Sequence, residues 1–335
     1  MRRAEKDSAP QSAQTSAPPA SSRIVVYAAL AGNLAIAVTK LAAAGVTGSS
    51  AMFSEAVHSI VDTGNEGLLL HGYRQAARRP DPIHPLGYGR ELYFWSFIVA
   101  LLLFGLGAGV SLYQGTVHVL APQPVEHATV SYVVLGLAFL FEGASWMVGW
   151  RAFNKSRGSL GFWAAFKASK DPPGFMVLFE DSAALLGIVI AVLGIFAAEH
   201  FDAPVLDGVA SILIGLVLAV TAILLAIESK SLLIGERAAP HLVRSIETVA
   251  ANEPGVVSAN GAITVQLSPD QVLVALSIEF EDLLTADEIE RCVASIERRV
   301  RNQHPEVNAL FVKPQSSAGY ANARRLRFGE AIGDS

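Results

Sequence analysis

Three side chains that can bind a metal ion or a proton recur at every fourth position in the second long apolar stretch: His58, Asp62 and Glu66. An α-helix has about 3.6 residues per turn, so residues four apart lie on one face, about 6 Å apart along the axis. Each acid at the centre of a membrane helix costs about 2.5–3.5 kcal/mol, whereas each leucine returns only about 0.3–0.6 kcal/mol. Such a stripe is retained where it has a function, and imidazole with carboxylates predicts a metal-cation site.

The rest of the chain has the composition of a membrane protein. Its 335 residues are 52% hydrophobic and 16% charged, and the mean hydropathy of +0.41 is too apolar for an ordinary soluble domain. A hydrocarbon core of about 30 Å requires about 20 helical residues. Six stretches are long enough: residues 24–46, 51–72, 92–120, 130–150, 175–198 and 205–227. The sequence therefore predicts an α-helical membrane protein with a six-helix transmembrane bundle at residues 23–232.

The charges of the loops predict the orientation. Lysine and arginine precede the first stretch and fill the loops after the second and fourth, whereas loops 47–50, 121–129 and 199–204 contain neither. By the positive-inside rule both termini face the cytoplasm. Membrane lipid headgroups explain these cations, so the chain, with a net charge of −5, gives no support for nucleic-acid binding. Lys40 is the one basic residue inside a span, and we expect it to extend toward the outer interface.

Beyond the sixth stretch the pattern changes to that of a small soluble domain. Five elements are indicated: a helix at 240–251, strands at 256–267 and 272–280, a helix from the capping box at Thr285 to about residue 301, and a strand at 308–312. The order α-β-β-α-β over residues 236–314 predicts a cytoplasmic α/β domain, ferredoxin-like or metallochaperone-like.

The two ends of the chain and its single cysteine set further limits. Residues 1–22 are rich in Ala, Ser, Pro and Gln, and we expect a disordered cytoplasmic tail there. Residues 315–335 are expected to form a flexible tail. Because Cys292 is the only cysteine, an internal disulfide and a cysteine-based zinc site are excluded.

Two motifs carry a resemblance to a known family. Residues 48–62 contain Gly-Ser-x-Ala-x-x-x-Glu-Ala-x-His-Ser-x-x-Asp, and residues 81–91 contain Asp-Pro-x-His-Pro-x-Gly-x-Gly-Arg-Glu. Together with Asn33 and Lys40 in the first span, they make residues 24–314 similar to the cation diffusion facilitators, the proton-coupled zinc exporters.

A finer resemblance lies in the fourth and fifth spans. Phe-Glu-Gly-Ala-Ser at 141–145 and Glu-Asp-Ser-Ala at 180–183 resemble the branch that contains the animal mitochondrial zinc exporter. The resemblance implies a homodimeric secondary transporter, not an enzyme, that exports a divalent cation from the cytoplasm in exchange for protons by alternating access. It implies no prosthetic group. The Ala-, Gly- and Val-rich composition suggests a bacterial plasma membrane.

The resemblance also implies a tetrahedral site made by the second and fifth spans. His58 and Asp62 match the second-span ligands, and Asp181 matches the acid of the fifth span. The expected partner four residues before that acid is Val177 here, so three matched ligands remain. Water or another acid completes the site. The candidate acids, in order of preference, are Glu142, Glu180 and Glu66.

Several of these residues also have structural explanations. The second-span pair can form a hydrogen bond that joins membrane helices, and Asp181 can be an interfacial acid near the end of its span. Glu142 can pair with Lys40 as readily as it binds a metal. Glu66, one turn beyond the second-span ligands, is expected to line the ion pathway more than to contact the ion.

The loop before the third span offers a weaker metal site. Asp81 and His84 could bind an ion, but the position that would complete the site is Tyr88, a poor zinc ligand, and this favours a structured loop. Arg90 resembles a basic residue that ties the membrane domain to the soluble domain, with Glu236 as its expected partner.

Zn²⁺ is the expected substrate because imidazole with carboxylates suits it, and Co²⁺, Fe²⁺ and Mn²⁺ remain alternatives. Metal binding requires neutral imidazole and ionised carboxylates, so protons compete with the metal. His58, whose unperturbed pKa is about 6.5, is the expected proton-exchanging group.

Two other classes of function stay open. One is a non-transporting scaffold or regulatory membrane protein, in which Val177 reflects lost transport. The other is an intramembrane metalloenzyme with three ligands and a water. The sequence contains no His-Glu-x-x-His motif and no recognisable general base with a substrate-binding motif, which favours the transporter.

Overall fold

The structure, a computed structural model, describes residues 20–328, and the surroundings of side chains from residue 30 onward. Eight helices precede the α/β domain: α1 Ala20–Thr47, α2 Ser50–Ala76, α3 Glu91–Leu102, α4 Gly109–Leu120, α5 Ala128–Ser156, α6 Phe162–Ala168, α7 Pro172–His200 and α8 Val205–Ile234. Of the predicted disordered tail at 1–22, residues 1–19 lie outside the described part of the chain. Residues 20–22 already belong to helix α1.

Six helical spans are assembled from these helices. Helices α3 and α4 are joined through a π-helical segment, Leu103–Ala108, so the third span runs unbroken over Glu91–Leu120. Helices α1, α5, α7 and α8 are the first, fourth, fifth and sixth spans, and α6 is a short additional helix between the fourth and fifth. Five of the six spans are long and apolar enough to cross a membrane by length and composition. The exception is α2, which carries the polar stripe found in the sequence.

Helix α2 is surrounded by protein. It packs against α1, α3, α7 and α8, and the buried members of its sequence include Met52, Glu55, His58 and Asn65. Its polar stripe therefore faces other helices, where side-chain partners can offset the cost of removing acids from water.

The N-terminus of α2 is held by an acid from another span. The Ser49 hydroxyl caps the helix by accepting from the Met52 amide at 3.1 Å. The buried Asp207 of α8 accepts from the Ser49 hydroxyl at 2.6 Å and from the Ser50 amide at 2.5 Å. Because a helix N-terminus carries partial positive charge and unpaired amides, this carboxylate fixes α2 against α8.

Lys40 does not extend to the interface, and this prediction is wrong. Its side chain is fully buried, with the ammonium 3.2 Å from Glu55 Oε2 and donating to the Ser59 hydroxyl at 2.8 Å. The other oxygen of Glu55 approaches Gly187 of α7 so closely that a Cβ there would lie 2.2 Å from it. A buried carboxylate within reach is a better partner for the ammonium than a distant interface, since an unpaired charge inside the bundle is costly.

The α/β domain has the predicted order of elements, which is confirmed. It consists of α9 Pro240–Ala251, β1 Val256–Ser268, β2 Gln271–Phe280, α10 Ala286–Gln303, β3 Val307–Pro314 and α11 Ser317–Phe328. Strand β2 is central, antiparallel to β1 and parallel to β3, and α10 forms the crossover between the parallel pair. Helices α9 and α10 pack on one face over a core that includes Leu242, Ile246, Val274 and Ile296. The capping box of Thr285 and Glu288 is present.

The flexible tail expected at 315–335 is wrong for residues 317–328, and residues 329–335 lie outside the described part of the chain. Residues 317–328 form helix α11, which contacts β1 and β2. Tyr320 of this helix sits over Gly261, where a Cβ would lie 2.3 Å from the phenol oxygen. The short polar sequence of α11 gave little sign of this contact, because its stability comes from the sheet and not from its own pattern.

The junction between the two domains uses a different ion pair from the expected one. Glu236 accepts from Lys170, which precedes the fifth span, and from the Ser231 hydroxyl. Among the described residues the predicted pair of Arg90 with Glu236 is not formed, although the Arg90 guanidinium lies close to Gly235. The predicted ion pair of Arg90 is therefore wrong, and Lys170 takes its place as the partner of Glu236.

The buried pair of Lys40 and Glu55 leads to a stability prediction. Lys40→Met leaves the Glu55 carboxylate buried without a cation, and we expect a loss of about 3–5 kcal/mol. The double variant Lys40→Met/Glu55→Gln should recover much of that loss. Reversible unfolding in detergent measures both, with the exposed Lys155→Met as the control. A single variant as stable as the unmodified protein would contradict the pairing.

Candidate metal centre

The second span places His58, Asp62 and Glu66 on one face, as the sequence predicts, and His58 is the most buried of the three. The His58 side chain is fully buried, and its Nε2 lies 3.4 Å from Asp62 Oδ2. Among the described residues, neither ring nitrogen of His58 has a hydrogen-bond partner. Buried polar atoms are almost always paired in folded proteins, so an imidazole that forms no hydrogen bond, with a carboxylate beside it, is a group available to a ligand.

The five predicted acids meet around one small cavity. Its volume is about 30 Å³, and its carboxylate lining comes from the second, fourth and fifth spans: Asp62, Glu66, Glu142, Glu180 and Asp181. This volume holds an ion without a full hydration shell, or one or two waters. His58 does not line the cavity and reaches it through Asp62. The spans therefore bring all six candidates into one region.

Neutral hydrogen-bond donors orient three of the acids. Asn33 donates to Glu66 at 2.5 Å, Asn65 donates to Glu180 at 3.0 Å, and Ser145 donates to Asp181 at 2.8 Å. Such contacts fix carboxylate rotamers around a metal site. Sequence reasoning assigned no role to Asn65 or Ser145. The available signal was helical spacing, because Asn65 lies seven residues after His58 and Ser145 three residues after Glu142.

One cation accompanies the acids from within the bundle. The Lys40 ammonium lies 3.9 Å from Glu142 Oε1, and it is also shared with Glu55. The alternative in which Glu142 pairs with Lys40 therefore has structural support, while Glu142 still lines the cavity. Five carboxyl groups around one cavity cannot all be ionised next to a single ammonium in an apolar bundle, so protons or a divalent cation must supply the remaining positive charge.

The cavity collects potential ligands without bringing them into coordination distance of one another. Within residues 30–328, no group of three His, Cys, Asp or Glu side chains is arranged to hold a metal ion together. Val177 lines the cavity at the position where a fourth ligand was expected, and its side chain offers no donor atom. Binding an ion here requires rotation of the carboxylates toward a common centre, which the small cavity permits only for a largely dehydrated ion.

The loop before the third span has the features of a structured loop. Asp81 accepts from the His84 amide at 2.7 Å and from the Tyr88 hydroxyl at 2.6 Å. The phenol hydrogen bond, followed by the backbone hydrogen bonds, lowers the pKa of Asp81 to about 2. Arg78 stacks over the Tyr88 ring at 4.1 Å. Because these contacts use the acid and the phenol, the loop is explained without a metal.

Comparison with known proteins gives a family match that covers all the spans that line the cavity. Residues 26–234 match the family described as the cation efflux transmembrane domain. This range contains all six candidate residues.

Comparison with individual proteins gives relatives that are named for zinc antiport and for metal tolerance. The chain is 33% identical over 72% of its length to the mitochondrial proton-coupled zinc antiporter SLC30A9 of Xenopus laevis, and 31% identical over 70% to that of Homo sapiens. It is 32% identical over 64% of its length to metal tolerance protein C4 of Arabidopsis thaliana. The matched segments are 44%, 42% and 47% of these relatives, so the chain spans less than half of each. The resemblance found in the sequence, including its finer branch, is confirmed.

The vacancy at Val177 predicts a change in metal selectivity. Val177→His adds an imidazole to the cavity wall and favours a tetrahedral ion, so the ratio of Zn²⁺ to Mn²⁺ affinity should rise by about tenfold or more. Isothermal titration of both metals measures the ratio, with Val177→Leu as the control for volume. An unchanged ratio in the histidine variant would mean that another group, foremost Glu142, already completes the site.

Proposed function

The chain belongs to the cation efflux family, and on that premise we propose that it is a proton-coupled exporter of divalent metal cations with Zn²⁺ as its substrate. The observation that carries the proposal is the meeting of five acids beside a buried histidine at one cavity between spans. Imidazole with carboxylates is a suitable donor set for Zn²⁺, and Co²⁺, Fe²⁺ and Mn²⁺ are the alternative substrates. The relatives named as zinc antiporters support the same substrate.

The charge balance of the cavity supports the exchange of metal for protons. Before a metal binds, the surplus of carboxyl groups over Lys40 is neutralised by protons. A divalent cation that enters needs ionised carboxylates and a neutral imidazole, so it displaces protons, and protons that return displace the metal. The sequence pointed to His58 as the exchanging group. The number of acids around the cavity makes the carboxyl groups, foremost Asp62, the main proton carriers in this proposal.

Transport requires the same site to open to each side of the membrane in turn. The cavity lies between α2, α5 and α7, so small shifts between these helices can change its access. The arginine and lysine distribution supports an orientation with both termini and the α/β domain in the cytoplasm, and therefore export from it. We place the protein in a bacterial plasma membrane from its composition, whereas the relatives first compared are named mitochondrial. Membrane fractionation of the source cells tests this placement.

A homodimer is part of the proposal. Dimerisation is typical of this family, and the α/β domain exposes three large apolar side chains on its strands, Val257, Ile263 and Phe311, each more than two fifths accessible. Light scattering of the purified protein tests the assembly state.

A second candidate function is a non-transporting scaffold or regulatory membrane protein of the same family. It rests on Val177, which leaves the cavity one ligand short of the expected set. The two candidates differ in metal flux, because only the exporter moves an ion across a sealed membrane.

Flux through the Asp62 site is the primary test. Asp62→Asn keeps the side-chain volume but removes the charge that offsets a divalent cation, so Zn²⁺ uptake into proteoliposomes under a pH gradient should fall by about a hundredfold. Asp282→Asn, at an exposed position of the α/β domain, is the control and should transport normally. Unmodified protein that moves no divalent metal would favour the scaffold, and normal flux in Asp62→Asn would remove this residue from the site.

Proton release identifies the group that exchanges protons. Calorimetric titration with Zn²⁺ in buffers of different ionisation enthalpy gives the number of protons released per bound ion. In His58→Gln the affinity should fall by about tenfold or more through the lost contact between His58 and Asp62, while the protons released per ion should stay as in the unmodified protein. A fall of that number to near zero would assign the exchanged proton to His58.

A further inference from the structure

A second cavity, of about 860 Å³, lies where the loop between the fourth and fifth spans meets the start of the α/β domain. Three segments that are distant in sequence contribute to its wall: the end of α5, helix α6 with the loop after it, and the linker into α9. Together they supply five permanently cationic side chains: Arg157, Lys167, Lys170, Arg237 and Arg244. The one carboxylate in the lining is Glu236.

Most of the positive charge in this cavity is not neutralised by the protein. Glu236 accepts from Lys170 and from the Ser231 hydroxyl. Among the described residues, Lys167, Arg237 and Arg244 have no carboxylate within 4.0 Å. Glu228 of α8 interacts electrostatically with Lys170 and Lys167 but does not line the cavity. Several cations that converge on one concave site without partners form a site for an anion.

The cavity has apolar surroundings of the kind found where a membrane meets water. Phe153 of the cavity wall contacts a cluster of rings, with centroid distances of 6.4 Å to Trp150 and 5.3 Å to Phe162, and Trp146 stacks on Trp150 at 5.5 Å. Leu160, which also lines the cavity, is 48% exposed, and Trp163 of α6 is 56% exposed. Aromatic side chains concentrate where headgroups meet hydrocarbon tails. A ligand in this cavity therefore has cations on one side and an apolar surface on the other.

We propose that this cavity binds the phosphate group of an anionic phospholipid whose acyl chains lie along the aromatic cluster formed by Trp146, Trp150 and Phe162. Arg237 and Arg244 provide guanidinium groups that can donate paired hydrogen bonds to phosphate oxygens. Arg157, which already donates to Asn154 and to the Leu160 carbonyl, adds charge. The lysines add charge, and basic pockets at the ends of membrane helices are suited to such headgroups. The site is separate from the metal cavity and does not depend on the proposed transport.

Its position gives the lipid a structural role at the junction of the domains. The cavity wall includes both members of the Lys170–Glu236 ion pair, which joins the loop before the fifth span to the linker of the α/β domain. A phosphate bound among the neighbouring cations would add a second connection between α6 and the linker. Binding should therefore raise thermal stability as well as occupy the site, because a ligand that binds only the folded state stabilises it.

The test uses the full-length protein in phosphatidylcholine nanodiscs. Short-chain phosphatidylglycerol is titrated in, and binding is followed by tryptophan fluorescence and by the unfolding temperature. Each cation near a lipid surface contributes about fivefold to affinity, so Arg237→Gln/Arg244→Gln should bind about thirtyfold more weakly. The control variant, Arg298→Gln/Arg301→Gln, removes two exposed cations of α10 that are not in the lining and should bind like the unmodified protein.

Two further titrations distinguish the source of the phosphate. Glycerol phosphate carries the anion without acyl chains and should bind much more weakly than phosphatidylglycerol. Equal binding of the two would overturn the lipid assignment in favour of a soluble phosphate. Short-chain phosphatidylcholine has no net charge and should not compete. Equal loss of binding in both double variants, or unchanged binding in Arg237→Gln/Arg244→Gln, would also overturn the proposal. Gel filtration of each variant shows whether a loss reflects misfolding.

Discussion

The placement of acids within an apolar bundle is the constraint on which the rest of this structure depends. Carboxylates are costly in a membrane unless a cation or proton accompanies them. The protein meets this cost in two ways at successive levels along α2. Glu55 is paired with the buried ammonium of Lys40 at 3.2 Å. Of the cavity acids, Glu142 approaches the same ammonium, at the longer distance of 3.9 Å. The first arrangement is structural, and the second leaves charge for an exchangeable ion to balance.

Other features of the fold follow from the central position of α2. A helix that carries a polar stripe must be enclosed, and α1, α3, α7 and α8 enclose it. Its first turn is anchored by hydrogen bonds to Asp207 of α8, which fix the start of α2 relative to that span. The fourth span then contributes Glu142 and Ser145, and the fifth contributes Glu180 and Asp181. The site is thus made by spans that could move relative to one another.

The sequence predicted the elements well because strong periodic signals defined them. Apolar length identified the spans, and alternation with the Thr285 capping box identified the α/β domain. It also indicated which acids are candidates for the cavity, because charged residues are conspicuous in apolar helices. What it could not provide was pairing in three dimensions. Lys40 was assigned to the interface because it lies near the outer end of its span, and Glu236 was matched to Arg90 through the resemblance to the family. The contacts that the structure shows instead, Lys40 with Glu55 and Lys170 with Glu236, join residues whose proximity the linear sequence does not reveal. The neutral donors Asn65 and Ser145 were missed for the same reason.

The central claim is that a divalent cation binds among the acids at the meeting of the second, fourth and fifth spans. Anomalous scattering at the zinc absorption edge, from crystals of the Zn²⁺-bound protein, locates the ion without reference to any assumed ligand. The account predicts a peak inside the cavity, at about 2.0–2.2 Å from carboxylate oxygens of Asp62 and Asp181. A strong peak only at the Asp81 loop, with none between the spans, would contradict it.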